Sequence, residues 1–280
     1  MNLTANLRGV SIDEVVDSYW IFLARSDYSG HLEAFKKRLN SDARAAEAEA
    51  VMFSFLWSAK AHPYIFEDLS NGGPDFCCEP CGKSKFLVEV TSLESGVVAR
   101  ESFLPARITA PGGGAFGLIT PLLKGKASAK ATQFGNSPLP RVLAITSSHD
   151  CAGLLMDRLG AEFLLLSDPM ISVPLGGAPN RATQVTDLRR SVFFRPDKGG
   201  KEIIPCRRSI SAIMLVAISG IQADVVGLLH PEPAIPFAPS LFPQVPYLRV
   251  KNWPIVDGRM EVEWSITEAD HATFWHTRIC

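Results

Sequence analysis

The chain has 280 residues, of which 46% are hydrophobic and 20% charged, an ordinary composition for a globular protein with a substantial core. Its net charge of −1 provides no global positive field, so any nucleic-acid binding must come from local patches. No run approaches the roughly 18 apolar residues of a membrane-spanning helix, and the N-terminal sequence lacks the pattern of a signal peptide. Together with six cysteines in a chain of this length, these features predict a cytoplasmic protein with reduced thiols and no membrane partner.

The first part of the chain has helical periodicity. Residues 11–39 are predicted to form a helix, because Ser11 opens a capping box and an apolar stripe follows it. A second helix is predicted over residues 42–60, with Ser41 or Asp42 as its N-cap. The chain is therefore expected to begin with an N-terminal helical extension, residues 1–40, before the main domain.

Short strands and helices then alternate, which predicts an α/β protein. The two strands at 75–78 and 85–91 are separated by a turn-rich segment and are expected to pair as a hairpin. Further strands are predicted at 64–67, 141–146, 163–166, 211–218, 225–230 and 261–266, and further helices at 118–134 and 151–159. A glycine- and proline-rich loop is predicted at 110–117.

Residues 167–208 are predicted to be irregular, and residues 181–208 within them have a local excess of positive charge. Eight basic residues stand there against three acidic ones. Such a run is either a solvated loop or a surface that contacts phosphates.

Two carboxylates near the predicted hairpin are the clearest sign of chemistry. Asp75 follows a proline, and Glu89 lies inside the apolar run Phe86–Val90 fourteen positions later. A carboxylate is costly to bury unless something compensates it, and two that converge from adjacent strands make a divalent metal site. The alternatives are that Asp75 caps a turn and that Glu89 pairs with a buried arginine or lysine.

The element order around these acids resembles that of the PD-(D/E)xK nuclease superfamily, over roughly residues 41–166. The order is a helix with Glu49 or Glu47, a strand, a strand after Pro74-Asp75, a strand with Glu89-Val90-Thr91, a helix with Gln133 and a further strand. The resemblance implies a restriction-endonuclease-like mixed central sheet flanked by helices. It makes residues 41–166 the core domain and residues 167–280 a C-terminal elaboration packed on the same sheet.

The resemblance also implies a mechanism. Asp75, Glu89 and the backbone carbonyl of Val90 would bind Mg²⁺ or Mn²⁺, and Glu49 would complete the metal shell or hold a second ion. Water activated by the metal would then attack a nucleic-acid phosphodiester. The implied partner is nucleic acid, with DNA as the expected form, and a homodimer is an arrangement that many such nucleases adopt.

One position departs from the family pattern. The family's lysine belongs two residues after the second acid, where this chain has Thr91. Lys130 is the preferred substitute and Lys126 the second, because they lie four residues apart on the following helix with Gln133 on the same face. If neither lysine reaches the metal, the chain is expected to be a catalytically inactive nuclease-like module that binds nucleic acid or protein.

Other candidate motifs are weaker. Cys78 and Cys81 have CxxC spacing, but no second Cys/His pair follows to give zinc four ligands, so structural thiols are favoured. His149-Asp150 follows a buried strand, and Asp150 is expected to cap the next helix rather than to act in a site. No G-x-S-x-G elbow, Walker A motif or dinucleotide-binding glycine pattern occurs.

Overall fold

A computed structural model describes residues 11–25, 27–105, 116–134, 137–167, 169–172, 183–186, 188–200, 202–219, 222–254 and 260–265. The helices are α1 (Ile12–Arg25), α2 (Ser29–Ser41), α3 (Ala43–Ser58), α4 (Ser95–Ser102), α5 (Phe116–Gln133), α6 (Asp150–Leu154) and α7 (Arg158–Leu166). The strands are β1 (Pro63–Ile65), β2 (Phe76–Cys78), β3 (Phe86–Leu93), β4 (Arg141–Ser147), β5 (Pro169–Ser172), β6 (Thr183–Thr186), β7 (Phe194–Pro196), β8 (Ile203–Pro205), β9 (Ala212–Ser219), β10 (Gln222–Leu229), β11 (Tyr247–Val250) and β12 (Val262–Trp264).

The central element is a mixed sheet, which confirms the predicted α/β class. Within the described residues it has eight strands in the order β1-β2-β3-β4-β9-β10-β11-β12. β2 is antiparallel to both of its neighbours, β1 and β3, whereas β3, β4 and β9 run parallel to one another. The predicted hairpin of β2 and β3 is present, with Phe76 opposite Val88. The strands from residue 212 onward extend this same sheet beyond β4.

Two layers of helices cover the sheet, one on each face. The first contains α1, α2 and α3, whose apolar side chains pack with alternate residues of the strands, such as Val88 and Val142. The second contains α4 to α7 and packs with the intervening residues, such as Leu143 and Ile213. Because side chains alternate across a strand, Glu89 lies on the same face as Leu143, its register partner, and is overlaid by the second layer.

The predicted N-terminal helix is wrong as one element, because the chain leaves the helix between Arg25 and Ser29 and forms α1 and α2. The break lets both helices pack against α3, which a single straight helix could not do. The capping box is confirmed: Ser11 N–H donates to Glu14 Oε2 at 2.7 Å, and Glu14 N–H to Ser11 Oγ at 3.2 Å. Asp42 caps α3, as predicted, by accepting from Ala45 N at 3.1 Å.

Two further predictions need correction. The strand expected at 163–166 is the end of α7, which starts after Asp157 accepts a hydrogen bond from Gly160 N at 2.8 Å. Its apolar run faces the sheet as part of an amphipathic helix, and short apolar runs do not distinguish a helix from a strand. His149, rather than Asp150, caps α6, since its Nδ1 accepts from Ala152 N at 3.3 Å.

The helix predicted at 151–159 is divided into the end of α6 and the start of α7, and β7 and β8 form within the segment predicted to be irregular. The short helix α4 was not predicted. The predicted loop at 110–117 and most of the sequence between 168 and 187 lie largely outside the described residues. Among the helices that the structure describes, none is long and apolar enough to cross a membrane.

Candidate functional site

A polar cleft of about 420 Å³ opens just before the start of β2, where the two helical layers meet. The residues that the sequence assigned to the site line it, with Glu49 rather than its alternative Glu47: Glu49, Asp75, Glu89, Val90, Lys126, Lys130 and Gln133. Thr91 lines it as well. Residues from α3, β3 and α5 and the residue directly before β2 are therefore brought together at one point on the sheet.

The hairpin places the two acids side by side. Phe76 is opposite Val88 in the register of β2 and β3, so continuing the register by one residue places Asp75 opposite Glu89. Residues that are directly opposite project to the same face of a sheet. The short strand β2 starts at Phe76, and Asp75 lies just outside it.

Val90 is held against Asp75 by its backbone. Its N–H donates to Asp75 Oδ2 at 2.6 Å. The N–H and C=O of one residue leave a strand on the same edge, as they do in a hydrogen-bonded antiparallel pair. The Val90 carbonyl therefore lies on the edge of β3 that faces Asp75, where it adds a third oxygen to the two carboxylates.

Glu89 is a buried carboxylate with a cation beside it. Its side chain is 9% exposed, and Lys130 Nζ donates to its Oε1 at 2.5 Å. Burial raises the pKa of Glu89 above its ordinary value, although Lys130 acts in the opposite direction through its hydrogen bond and charge. Lys130 thus reaches the face of β3 onto which a lysine at position 91 would also project.

Glu49 is compensated by two groups from the N-terminal helices. Tyr19 OH donates to its Oε1 at 2.7 Å, and Arg38 forms an ion pair with its other oxygen. Burial raises the pKa of Glu49, with Arg38 opposing the shift. Glu49 lies on the inner side of α3 facing the cleft, whereas Glu47 pairs with Arg44 on the surface.

Asp75 is different from these two acids because it has no cation partner among the described residues. The one hydrogen bond to its carboxylate there comes from the Val90 N–H. Burial raises the pKa of Asp75 well above its ordinary value, and the negative charges of Glu89 and Glu49 raise it further. The carboxylate therefore lies where negative charge is unfavourable unless a cation is added.

The cleft as a whole is acidic. Six carboxylates line it against three basic side chains, Arg38, Lys126 and Lys130. Lys126 is half-buried and makes no ion pair within the described part of the chain, and Gln133 is exposed at the rim. Three of the acids, Asp42, Glu67 and Glu94, were not predicted to belong to a site.

The donor set suits a hard divalent cation, although the protein supplies few ligands. Within the described residues no group of three or more His, Cys, Asp and Glu side chains is placed to hold a metal. Mg²⁺ is commonly held by one or two carboxylates and keeps several of its waters. Asp75, Glu89 and the Val90 carbonyl match that pattern, so these residues fit Mg²⁺ or Mn²⁺.

Zinc has no comparable site among the residues that the structure describes. Cys77 and Cys78 are buried as free thiols, and Cys81 is exposed. Burial raises the pKa of the Cys78 thiol well above its ordinary value, which disfavours the thiolate that zinc requires. These thiols belong to the packing and the surface of the β2–β3 hairpin.

Sequence reasoning did not find the residues that support the acids. Arg38 and Tyr19 act on Glu49 from helices that precede the predicted core, and no motif marks them. Glu67 follows the edge strand β1, and its backbone carbonyl makes a 2.9 Å hydrogen bond with His31 Nε2. The one signal in the sequence for Glu67 was its position as an acidic residue at the end of the strand predicted at 64–67.

Comparison of the chain with protein-family models, with curated proteins and with solved structures gives no match.

Proposed function

We propose that this chain is a metal-dependent nuclease of the PD-(D/E)xK type, which hydrolyses nucleic-acid phosphodiester bonds. The observation that carries the proposal is Asp75. It is a carboxylate without a cation partner among the described residues, placed beside Glu89 and Glu49, and its pKa is raised by burial and by both neighbours. A divalent cation would relieve this repulsion.

The arrangement of elements supports a restriction-endonuclease-like core. A helix, three antiparallel strands, a helix and a strand parallel to the third follow one another as α3, β1–β3, α5 and β4, with the short α4 inserted. Asp75 directly precedes the second strand, Glu89 lies in the third, and Glu49 faces them from the first helix. This is the element order that the sequence resemblance requires.

Each residue then has a defined task. Asp75, Glu89 and the Val90 carbonyl would hold Mg²⁺, which supplies Lewis-acid polarisation of the phosphodiester and activation of water. Lys130, already beside Glu89, would replace the strand lysine and stabilise negative charge on the reacting phosphate. Lys126 lies one turn earlier on α5 and would assist the same charge.

The test is cleavage of labelled DNA and RNA with and without Mg²⁺. We expect Asp75→Ala and Glu89→Ala each to abolish Mg²⁺-dependent cleavage while circular dichroism shows an intact fold. The matched control is Glu47→Ala, which removes a carboxylate from α3 outside the cleft. Cleavage retained in either the Asp75 or the Glu89 variant would refute the assignment of these residues to a catalytic metal site.

An inactive binding module is the second candidate, and Thr91 at the lysine position favours it. In that case the Lys130–Glu89 pair would be a structural ion pair. Calorimetry separates the two functions, since a chain that binds neither Mg²⁺ nor Mn²⁺ at neutral pH cannot use the proposed mechanism.

A further inference from the structure

A second pocket lies on the opposite side of α5 from the cleft. Lys126, Lys130 and Gln133 face the cleft, whereas Lys124, Ser128 and Ala131 line the second pocket. Both sets have the i, i+4, i+7 spacing of one helix face. The second pocket has a volume of about 410 Å³, within the range of roughly 300–1,000 Å³ typical of ligand sites.

The charge of this pocket is opposite to that of the cleft. Lys124, Arg189, Arg195 and Arg207 line it, and no carboxylate does among the residues described. Arg195 is exposed and makes no ion pair within the described ranges. The pocket is therefore a local positive site on a chain whose net charge is −1.

The side chain of Arg207 is held in the pocket by hydrogen bonds to neutral groups alone. Its Nε and Nη2 donate to Ser128 Oγ at 2.9 and 2.5 Å, and its Nη1 donates to Val192 O at 2.6 Å. A contact of 2.9 Å from Nη1 to Cys206 Sγ completes the set. These bonds fix the guanidinium plane without neutralising its charge, and one of its five N–H donors has no acceptor in the described structure.

The backbone at Arg207 is also unusual. Its φ of 57° lies in the left-handed region that favours glycine. A non-glycine residue there costs on the order of 1–2 kcal/mol. Strained backbone of this kind is concentrated at functional sites, where the surrounding structure holds a side chain in place.

We propose that this pocket, called here the Arg207 pocket, binds a phosphate group of a nucleic-acid strand outside the catalytic cleft. The inference rests on the proposed function for its choice of ligand. The acidic cleft repels a polyanion, so affinity must come from another surface, and the Arg207 pocket lies about one helix diameter, ~10 Å, away across α5. An arginine fork with a remaining donor is suited to phosphate.

The experiment measures the binding of a fluorescein-labelled DNA duplex and of an RNA of the same sequence in EDTA, so that no cleavage occurs. Affinity is followed by anisotropy over a series of salt concentrations. We expect Arg207→Gln and Arg195→Gln each to weaken binding about 3- to 10-fold and to lower the salt slope by about 1. Arg195→Gln is the second variant because its exposed side chain makes no described bond whose loss would unfold the protein.

Arg208→Gln is the matched control. It removes the same formal charge one residue away, from an exposed arginine that pairs with Glu232 at 3.1 Å. Its affinity should stay within twofold of the wild type. Unchanged affinity and salt slope in both pocket variants would overturn the inference, as would a wild-type chain that binds neither probe.

Inorganic phosphate is the third probe. Phosphate binding that depends on Arg207, with nucleic-acid affinity unaffected by the variants, would make this a site for free phosphate and overturn the inference. Failure of the catalytic proposal gives a different pattern: the variants weaken nucleic-acid binding although the wild type neither binds Mg²⁺ nor cleaves. If the wild type cleaves with Mg²⁺ and the variants bind nucleic acid with unaltered affinity, the proposal for the Arg207 pocket is refuted and the nuclease proposal stands.

Discussion

Replacing Asp75 by asparagine should stabilise the metal-free protein while removing its response to Mg²⁺. Asparagine keeps an oxygen that can accept the Val90 N–H, so the hydrogen bond of 2.6 Å is retained and the charge is lost. The substitution removes a carboxylate whose ionised form is made unfavourable by burial and by the charges of Glu89 and Glu49. The ordinary expectation for a site mutation, a loss of stability, is therefore reversed.

The magnitude follows from the register. Directly opposite residues on neighbouring strands have Cβ atoms about 5 Å apart. Two unit charges at ~5 Å repel by about 3 kcal/mol at an effective dielectric of about 20, and by about 0.8 kcal/mol in bulk water. Because Lys130 offsets part of the Glu89 charge, we expect Asp75→Asn to gain about 1–2 kcal/mol in the free energy of unfolding, or roughly 2–8 °C in Tm.

Thermal unfolding at pH 8, in EDTA and in Mg²⁺, measures both effects. Wild-type protein should be stabilised by about 2.7 kcal/mol when Mg²⁺ reaches 100 times its dissociation constant, and the variant should not respond. Asp68→Asn is the control, since hydrogen bonds from Asn71 and Ser70 hold the pKa of Asp68 below its ordinary value. Losing that carboxylate should not stabilise the protein. A less stable Asp75→Asn variant, or one that still responds to Mg²⁺, would refute the reasoning.

The pH dependence has the same origin. The pKa of Asp75 is raised in the folded state, so the folded protein keeps a proton that the unfolded chain releases above its ordinary value of about 4. Stability of the metal-free protein must then fall as the pH rises from about 4 through the folded-state pKa. Asp75→Asn should flatten this part of the stability curve, which denaturant titrations at several pH values would measure.

Three further outcomes follow from single contacts. Lys130→Met should lower Mg²⁺-dependent cleavage by about 10²- to 10³-fold with Mg²⁺ binding retained in calorimetry, and unchanged turnover would exclude a catalytic lysine. Gly227→Ala should cost about 1–3 kcal/mol in denaturant unfolding, because the added Cβ would lie 2.2 Å from the ring of Tyr247, and an unaffected midpoint would contradict that packing. Tyr19→Phe should cost about 1–2 kcal/mol by removing the hydrogen bond to Glu49, and no change in unfolding would show that this carboxylate is satisfied otherwise.

Much of the sheet could be predicted because its strands are short apolar runs bounded by turns. The hairpin at Asp75 and Glu89, the strand β4 and the strand β9 all carry this local signal. The predictions of helices and strands fail where tertiary packing, rather than the local sequence, determines the secondary structure. The glycine nearest to the break between α1 and α2 is Gly30, which lies inside α2 and so does not mark the end of α1. The apolar end of α7 has the length of a strand.

Asp75, Glu89 and Glu49 could be predicted as acids of the cleft, whereas the other three acids and the contacts that support Glu49 could not. Asp75, Glu89 and Lys130 lie in a recognisable order along the chain, so their spacing carried information. Arg38 reaches Glu49 only because α2 folds back on α3, and nothing in either helix indicates that contact. Long-range polar contacts of this kind depend on how the layers assemble rather than on local pattern.

A lysine from α5 can replace one from β3 because of the alternation of side chains. Position 91 projects to the same face of the sheet as Glu89, and α5 lies over that face. A lysine at position 91 of β3 and Lys130 on α5 would therefore both reach the space beside Glu89, the first from the strand and the second from the helix above it. The Lys130–Glu89 contact is what a structural ion pair would also produce, so it does not by itself identify a catalyst. Asp75 favours the catalytic alternative, because a purely structural pair gives no reason to keep a carboxylate without an ion pair beside it. Calorimetry with Mg²⁺ is the measurement that decides between the two.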